Sequence, residues 1–134
     1  MKFQENSEVP GYFKIMRVSL EPDSCRVLKG PQEEKKLAEF LRDDFHSSRY
    51  EKMLQLVVRE MVEESDRESI SKLLSLEHLQ EEFSSGGTEV TCSYQRKING
   101  QMQPVVAEVF PKKFGKQGEL VEFMLYVSPI ENEK

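Results

Sequence analysis

The sequence predicts an α+β domain in which a five-stranded antiparallel sheet carries short helices packed on one face. Two observations set the class. Apolar residues alternate with period two near both ends of the chain and recur at helical spacing in the middle, and turn residues stand where one pattern gives way to another.

Thr88 to Val127 is the most regular stretch, readable as three strands in series. In Thr88 to Ile98, Val90, Cys92, Tyr94 and Ile98 share one face, interrupted by Arg96, and Thr91, Ser93, Gln95 and Lys97 share the other. Asn99-Gly100 then predicts a tight type I′ hairpin, because both central residues must take positive φ. Gln103 to Pro111 follows, with Val105, Ala107 and Val109 on one side and Val106, Glu108 and Phe110 on the other. Lys112 to Gly118 reads as a polar turn, and Glu119 to Val127 as the last strand, with Val121, Phe123, Leu125 and Val127 against Leu120, Glu122, Met124 and Tyr126.

Before these, Tyr12 to Leu20 alternates with apolar side chains on both faces. Glu21-Pro22-Asp23-Ser24 is turn chemistry, and Cys25 to Lys29 reads as a short return strand closed by Gly30-Pro31. Helical spacing runs from Gln32 to Ser84. Leu37, Phe40, Leu41 and Phe45 predict one stripe; Tyr50, Met53, Leu54, Val57, Val58 and Met61 predict a second, capped by Ser47 or Ser48. Ser65 with Glu68 has the capping-box form ahead of Ile70, Leu73 and Leu74. Ser75 restarts a helix carrying Leu76, Leu79 and Phe83, which Gly86-Gly87 stops. Residues 1–11 are expected to be a lead-in, 12–130 the domain, and 131–134 a tail or the start of a linker to an output domain.

The 134 residues suffice for one core without staples. Charged residues make up 32% and hydrophobic ones 37%, with a net charge of −5 concentrated in the helical part, which argues against nucleic acid as a partner. There is no apolar run of about 18 residues and no signal-peptide core, so a cytoplasmic location without membrane contact is expected. Cys25 and Cys92 are read as buried free thiols, as in a reducing compartment.

The succession of two strands, short helices and three strands is that of a PAS domain, and local segments resemble the family. Val62-Glu63-Glu64-Ser65-Asp66-Arg67-Glu68 is similar to its His-Pro-Glu-Asp-Arg type turn into a helix, and Ser93-Tyr94-Gln95-Arg96-Lys97-Ile98-Asn99-Gly100 to its Tyr-Arg-Arg-x-x-Asp-Gly hairpin. Val105-Val106-Ala107-Glu108-Val109-Phe110-Pro111 resembles the strand that follows. The likeness is to PAS modules of bacterial signalling proteins, particularly those preceding GGDEF diguanylate cyclase domains. The chain departs from the pattern at Pro104-Val105-Val106, where many relatives place a Trp, and at Val127-Ser128-Pro129-Ile130-Glu131, where the family often carries Asp-x-Thr.

The resemblance implies a sensory module that is not itself an enzyme. It would act as a homodimer, with Phe3, Val9 and Tyr12 as N-terminal contacts, on an attached output domain such as a diguanylate cyclase. It also implies a ligand place between helices and sheet, for which Phe45, Leu54, Val58, Tyr94, Val109, Phe123 and Leu125 are the candidate lining, suited to a small apolar molecule. No catalytic or metal residue and no particular cofactor is assigned. His46 and His78 have no partners at ligand spacing for haem or zinc, and Cys25 lies in an early hairpin rather than in the helical region where a flavin-adduct cysteine belongs. Asp43-Asp44 and Glu63-Glu64 point about 100° apart on a helix and read as solvated faces. Lys112-Lys113-Phe114-Gly115-Lys116 reads as a soluble hairpin tip.

The alternative is a small α+β cone like those of ketosteroid isomerase relatives, with Glu108 or Glu122 as a buried base. That family usually begins with a long helix, whereas this chain begins its pattern with a strand hairpin. A ligand-free interaction domain is the third reading.

Overall fold

The computed structural model describes residues 12–41 and 47–130. Strands β1 (Lys14–Leu20) and β2 (Asp23–Lys29) form a hairpin, and four helices follow: α1 (Gln32–Phe40), α2 (Arg49–Met61), α3 (Arg67–Leu73) and α4 (Leu76–Ser84). Strands β3 (Val90–Ile98), β4 (Gln101–Phe114) and β5 (Leu120–Pro129) complete one antiparallel sheet in the order β2-β1-β5-β4-β3. The expected class, α+β with a five-stranded antiparallel sheet and short helices on one face, is therefore the observed one.

Alternation decides which face is covered. Met16 and Val18 of β1, Val90, Cys92 and Tyr94 of β3, Val105, Ala107 and Val109 of β4, and Phe123, Leu125 and Val127 of β5 are buried under the helices. The residues that alternate with them along each strand face outward. The Asn99-Gly100 turn has φ of 53° and 80°, the positive values its residue types favour, and it sets β3 against β4 from Ile98↔Gln101 to Val90↔Val109. β4 runs further than its alternation indicates. Lys112 to Phe114 extend it and pair irregularly with β5, so the polar turn is confined to Gly115 through Gly118.

The helical layer agrees with the sequence in α2 and α4 and departs from it in α1 and α3. Ser48 and Glu51 form a reciprocal capping box, Glu51 N–H donating to Ser48 Oγ at 3.2 Å and Ser48 N–H to the Glu51 carboxylate at 2.8 Å. Ser75 caps α4 by accepting from His78 N–H at 3.1 Å. The box expected from Ser65 and Glu68 does not form, because Ser65 lies inside a 3-10 turn, Glu64–Asp66, and α3 starts after it without a side-chain cap. Asp66 instead accepts from Gln95 N–H at 2.9 Å, and Glu63 N–H donates to the Gln95 carbonyl at 2.9 Å. The turn thus covers part of the otherwise open edge of β3, a place where an unpaired strand invites aggregation.

In α1 the expected stripe is rotated. Phe40 is 70% exposed, whereas Glu34 and Ala38 are buried and Leu41 is buried just past the helix end. Phe40 lies about 120° around the helix from Glu34, so a helix that turns Glu34 inward cannot also bury Phe40. Phe45, the last member of that stripe, lies outside the described residues.

Candidate functional site

Between α2, α3 and the inner sheet face lies a small apolar cavity of about 30 Å3, bordered by Leu54, Val58, Tyr94 and Leu125 and also by Lys14, Met16, Tyr50, Met53 and Ile70. Of the lining expected from the resemblance, Leu54, Val58, Tyr94 and Leu125 meet here. Val109 and Phe123 are fully buried elsewhere in the core, Phe123 making an edge-on contact with Tyr50 at 5.0 Å between ring centroids. Phe45 is outside the described residues. The Tyr50 hydroxyl donates to the Leu74 carbonyl at 2.6 Å and so ties α2 to the end of α3. Burial raises the pKa of both tyrosines, so each stays a neutral phenol. A space of this size holds about one water, far below the roughly 300 Å3 of small-molecule sites.

At one end of this cavity the apolar core gives way to charge. Lys14, Glu34 and Arg96 are 3%, 2% and 1% exposed. Glu34 Oε1 stands 2.6 Å from Lys14 Nζ, as an ion pair without hydrogen-bond alignment, and Glu34 Oε2 accepts from Arg96 Nη2 at 2.6 Å. Arg96 Nε donates to the Lys97 carbonyl at 3.0 Å, and the Phe13 ring lies over the guanidinium carbon at 4.8 Å. Arg96 Nη1 is buried with no acceptor among the described residues. Burial pushes the Glu34 carboxyl up, but Lys14 and Arg96 together outweigh it and hold the group below the usual carboxylate range. Burial lowers the Lys14 ammonium, and the attraction of Glu34 recovers only part of the loss.

The sequence reading missed this cluster, yet the signal was there. Lys14 occupies the inward register of Met16 and Val18, and Arg96 that of Tyr94 and Ile98. Two cations at inward positions require a buried anion, and the first turn of α1 supplies it.

The outer face of the sheet differs in character. Ile15, Val106, Phe110, Met124 and Tyr126 are half-buried there, Ile15 opposite Tyr126 and Phe110 opposite Met124 across the ladders. Tyr12 approaches Tyr126 at 5.0 Å and Phe110 meets it edge-on at 5.8 Å. Glu108 and Glu122 share this face, and Glu122 accepts from Arg17 Nε at 2.6 Å. The buried base required by the cone reading is therefore supplied by neither residue. Burial pushes the Cys25 and Cys92 thiols up to about 11, so both are poor nucleophiles near neutral pH. His78 sits on α4, and His46, Asp43 and Asp44 lie outside the described residues. Among the described residues no group of His, Cys, Asp or Glu stands together as a metal site, and no helix is long and apolar enough to cross a membrane.

No family model matches the chain, and no curated protein matches it. Among solved structures it is similar to the N-terminal domain of a diguanylate cyclase with PAS/PAC sensor from Marinobacter aquaeolei. The match has 12% identity and a TM-score of 0.49, covering 87% of this chain and 93% of that one.

Proposed function

We propose that this chain is a PAS-like regulatory module that signals through the pairing of two copies rather than through a ligand resident in its core. The observation that carries the reading is the contrast between a core cavity of about 30 Å3 and an outer face bearing Tyr12, Ile15, Phe110, Met124 and Tyr126 in one half-exposed patch. A second copy is the partner that the sequence resemblance implies, and such pairing would bias an attached output domain, for example a diguanylate cyclase. The expected N-terminal contacts Phe3 and Val9 lie outside the described residues, while Tyr12 already stands on this face. In a ligand-driven version, a small apolar molecule would enter beside Leu54, Val58, Tyr94 and Leu125 by displacing side chains from a packed cavity.

Native mass spectrometry of the purified protein, repeated after denaturation, separates these readings. Pairing predicts a dimer without excess mass. A mass excess lost on denaturation would transfer the function to a resident ligand, and a monomer at tens of micromolar would remove the pairing mechanism.

A further inference from the structure

The core cavity reaches the ion cluster at Lys14, and a separate surface cleft of about 330 Å3 reaches it at Glu34 and Arg96. Phe13, Pro31, Met61 and Lys97 also border this cleft. Among the described residues, two of the three polar positions of the Arg96 guanidinium are engaged, Nη2 by Glu34 and Nε by the Lys97 carbonyl, and the third is not. A buried guanidinium N–H without an acceptor is costly, and a buried cluster with two cations to one carboxylate is deficient in negative charge. A group supplying both an acceptor and one negative charge corrects both deficits. Glu33 and Glu60 border the same cleft, so the repulsion there is smaller for a single negative charge than for a dianion such as phosphate.

We infer that this cleft binds a small organic monocarboxylate, one oxygen accepting from Arg96 Nη1 and the short apolar body lying against Phe13 and Met61. The Phe13 ring lies over the guanidinium at 4.8 Å, and binding requires it to shift aside. The site is independent of pairing through the outer face and uses none of its residues.

Amide NMR titration of the whole chain with acetate, its neutral analogue acetamide and chloride, at constant ionic strength, tests the inference. Acetate is expected to give saturable shifts at Phe13, Lys97, Gly100 and the Arg96 side-chain N–H, acetamide none there, and chloride much weaker ones. Arg96→Lys, which keeps a cation for Glu34 but removes Nη1, should weaken acetate at least tenfold. Should that variant not fold, Met61→Glu places a competing carboxylate at the cleft and should weaken it similarly. Equal responses to acetate and acetamide, shifts scattered over the surface without saturation, or unchanged acetate binding in a folded variant would each overturn the inference.

Discussion

The two faces of the sheet are built from the same five strands and obey opposite rules. On the inner face every strand contributes buried residues, Val18, Val105, Val109 and Phe123 among them, and even the charged Glu34 and Arg96 are enclosed and paired. On the outer face Tyr12, Phe110 and Tyr126 remain half-exposed, although Tyr126 already meets both of the others. Inner residues hold the fold, and under the proposed pairing the outer ones form the contact between copies. Substitutions on the two faces should therefore separate stability from assembly.

The largest expected effect lies in the inner cluster. Glu34→Gln leaves Lys14 and Arg96 buried without their counter-charge and should cost about 3 to 5 kcal/mol, read from urea midpoints at unchanged slope. Replacing all three charges together with Met or Leu should cost far less, because a buried ion pair contributes little beyond its own desolvation. A simultaneous replacement as damaging as Glu34→Gln would contradict this account of the cluster. The pH dependence has the same origin. With the Glu34 carboxyl held low in the folded chain, the unfolded chain binds more protons in acid. The stability this carboxylate contributes is present above the ordinary carboxylate range, about pH 4.3, and is lost as pH falls through its depressed folded value. Lys14 acts in the same direction at higher pH, since the unfolded ammonium holds its proton more tightly than the folded one. A stability profile of Glu34→Gln with an undiminished acid limb would contradict the assignment.

Comparable in size but different in cause is Phe123→Ala, which should cost about 3 to 5 kcal/mol through a cavity beside Tyr50 without altering assembly. Tyr50→Phe removes only the hydroxyl bond to Leu74 and should cost about 1 to 3 kcal/mol, the carbonyl being left unpartnered in the core. Smallest in this series is Ser48→Ala, about 1 kcal/mol through loss of the α2 cap, measured by thermal or urea unfolding.

Much of this division is legible in the sequence. Period-two alternation from Val90 to Ile98 marks the inner face of β3 residue by residue, and Asn99-Gly100 fixes its register with β4, because local sterics alone decide that turn. Ser48, one of the two residues expected to cap α2, is its cap for the same local reason. What the pattern misses depends on distant partners. The rotation of α1 is set by Lys14 and Arg96, far away in sequence, so apolar spacing points to Phe40 where the structure buries Glu34. The Ser65 and Glu68 capping box loses to a 3-10 turn whose acid, Asp66, is claimed by the edge of β3. Of the expected lining, Leu54, Val58, Tyr94 and Leu125 border one small cavity, whereas Val109 and Phe123 pack elsewhere. Side-chain volumes nevertheless close the space to about 30 Å3, and no spacing rule reports volume.

The most direct test of the central claim is sedimentation velocity on the wild type and on Phe110→Glu, which places a charge in the outer aromatic patch while leaving the inner core untouched. Pairing through this face predicts a dimer for the wild type and a monomer for the variant, with urea midpoints that agree closely once both are measured at a concentration too low for pairing. A wild-type monomer, or a variant that still dimerises, would contradict it.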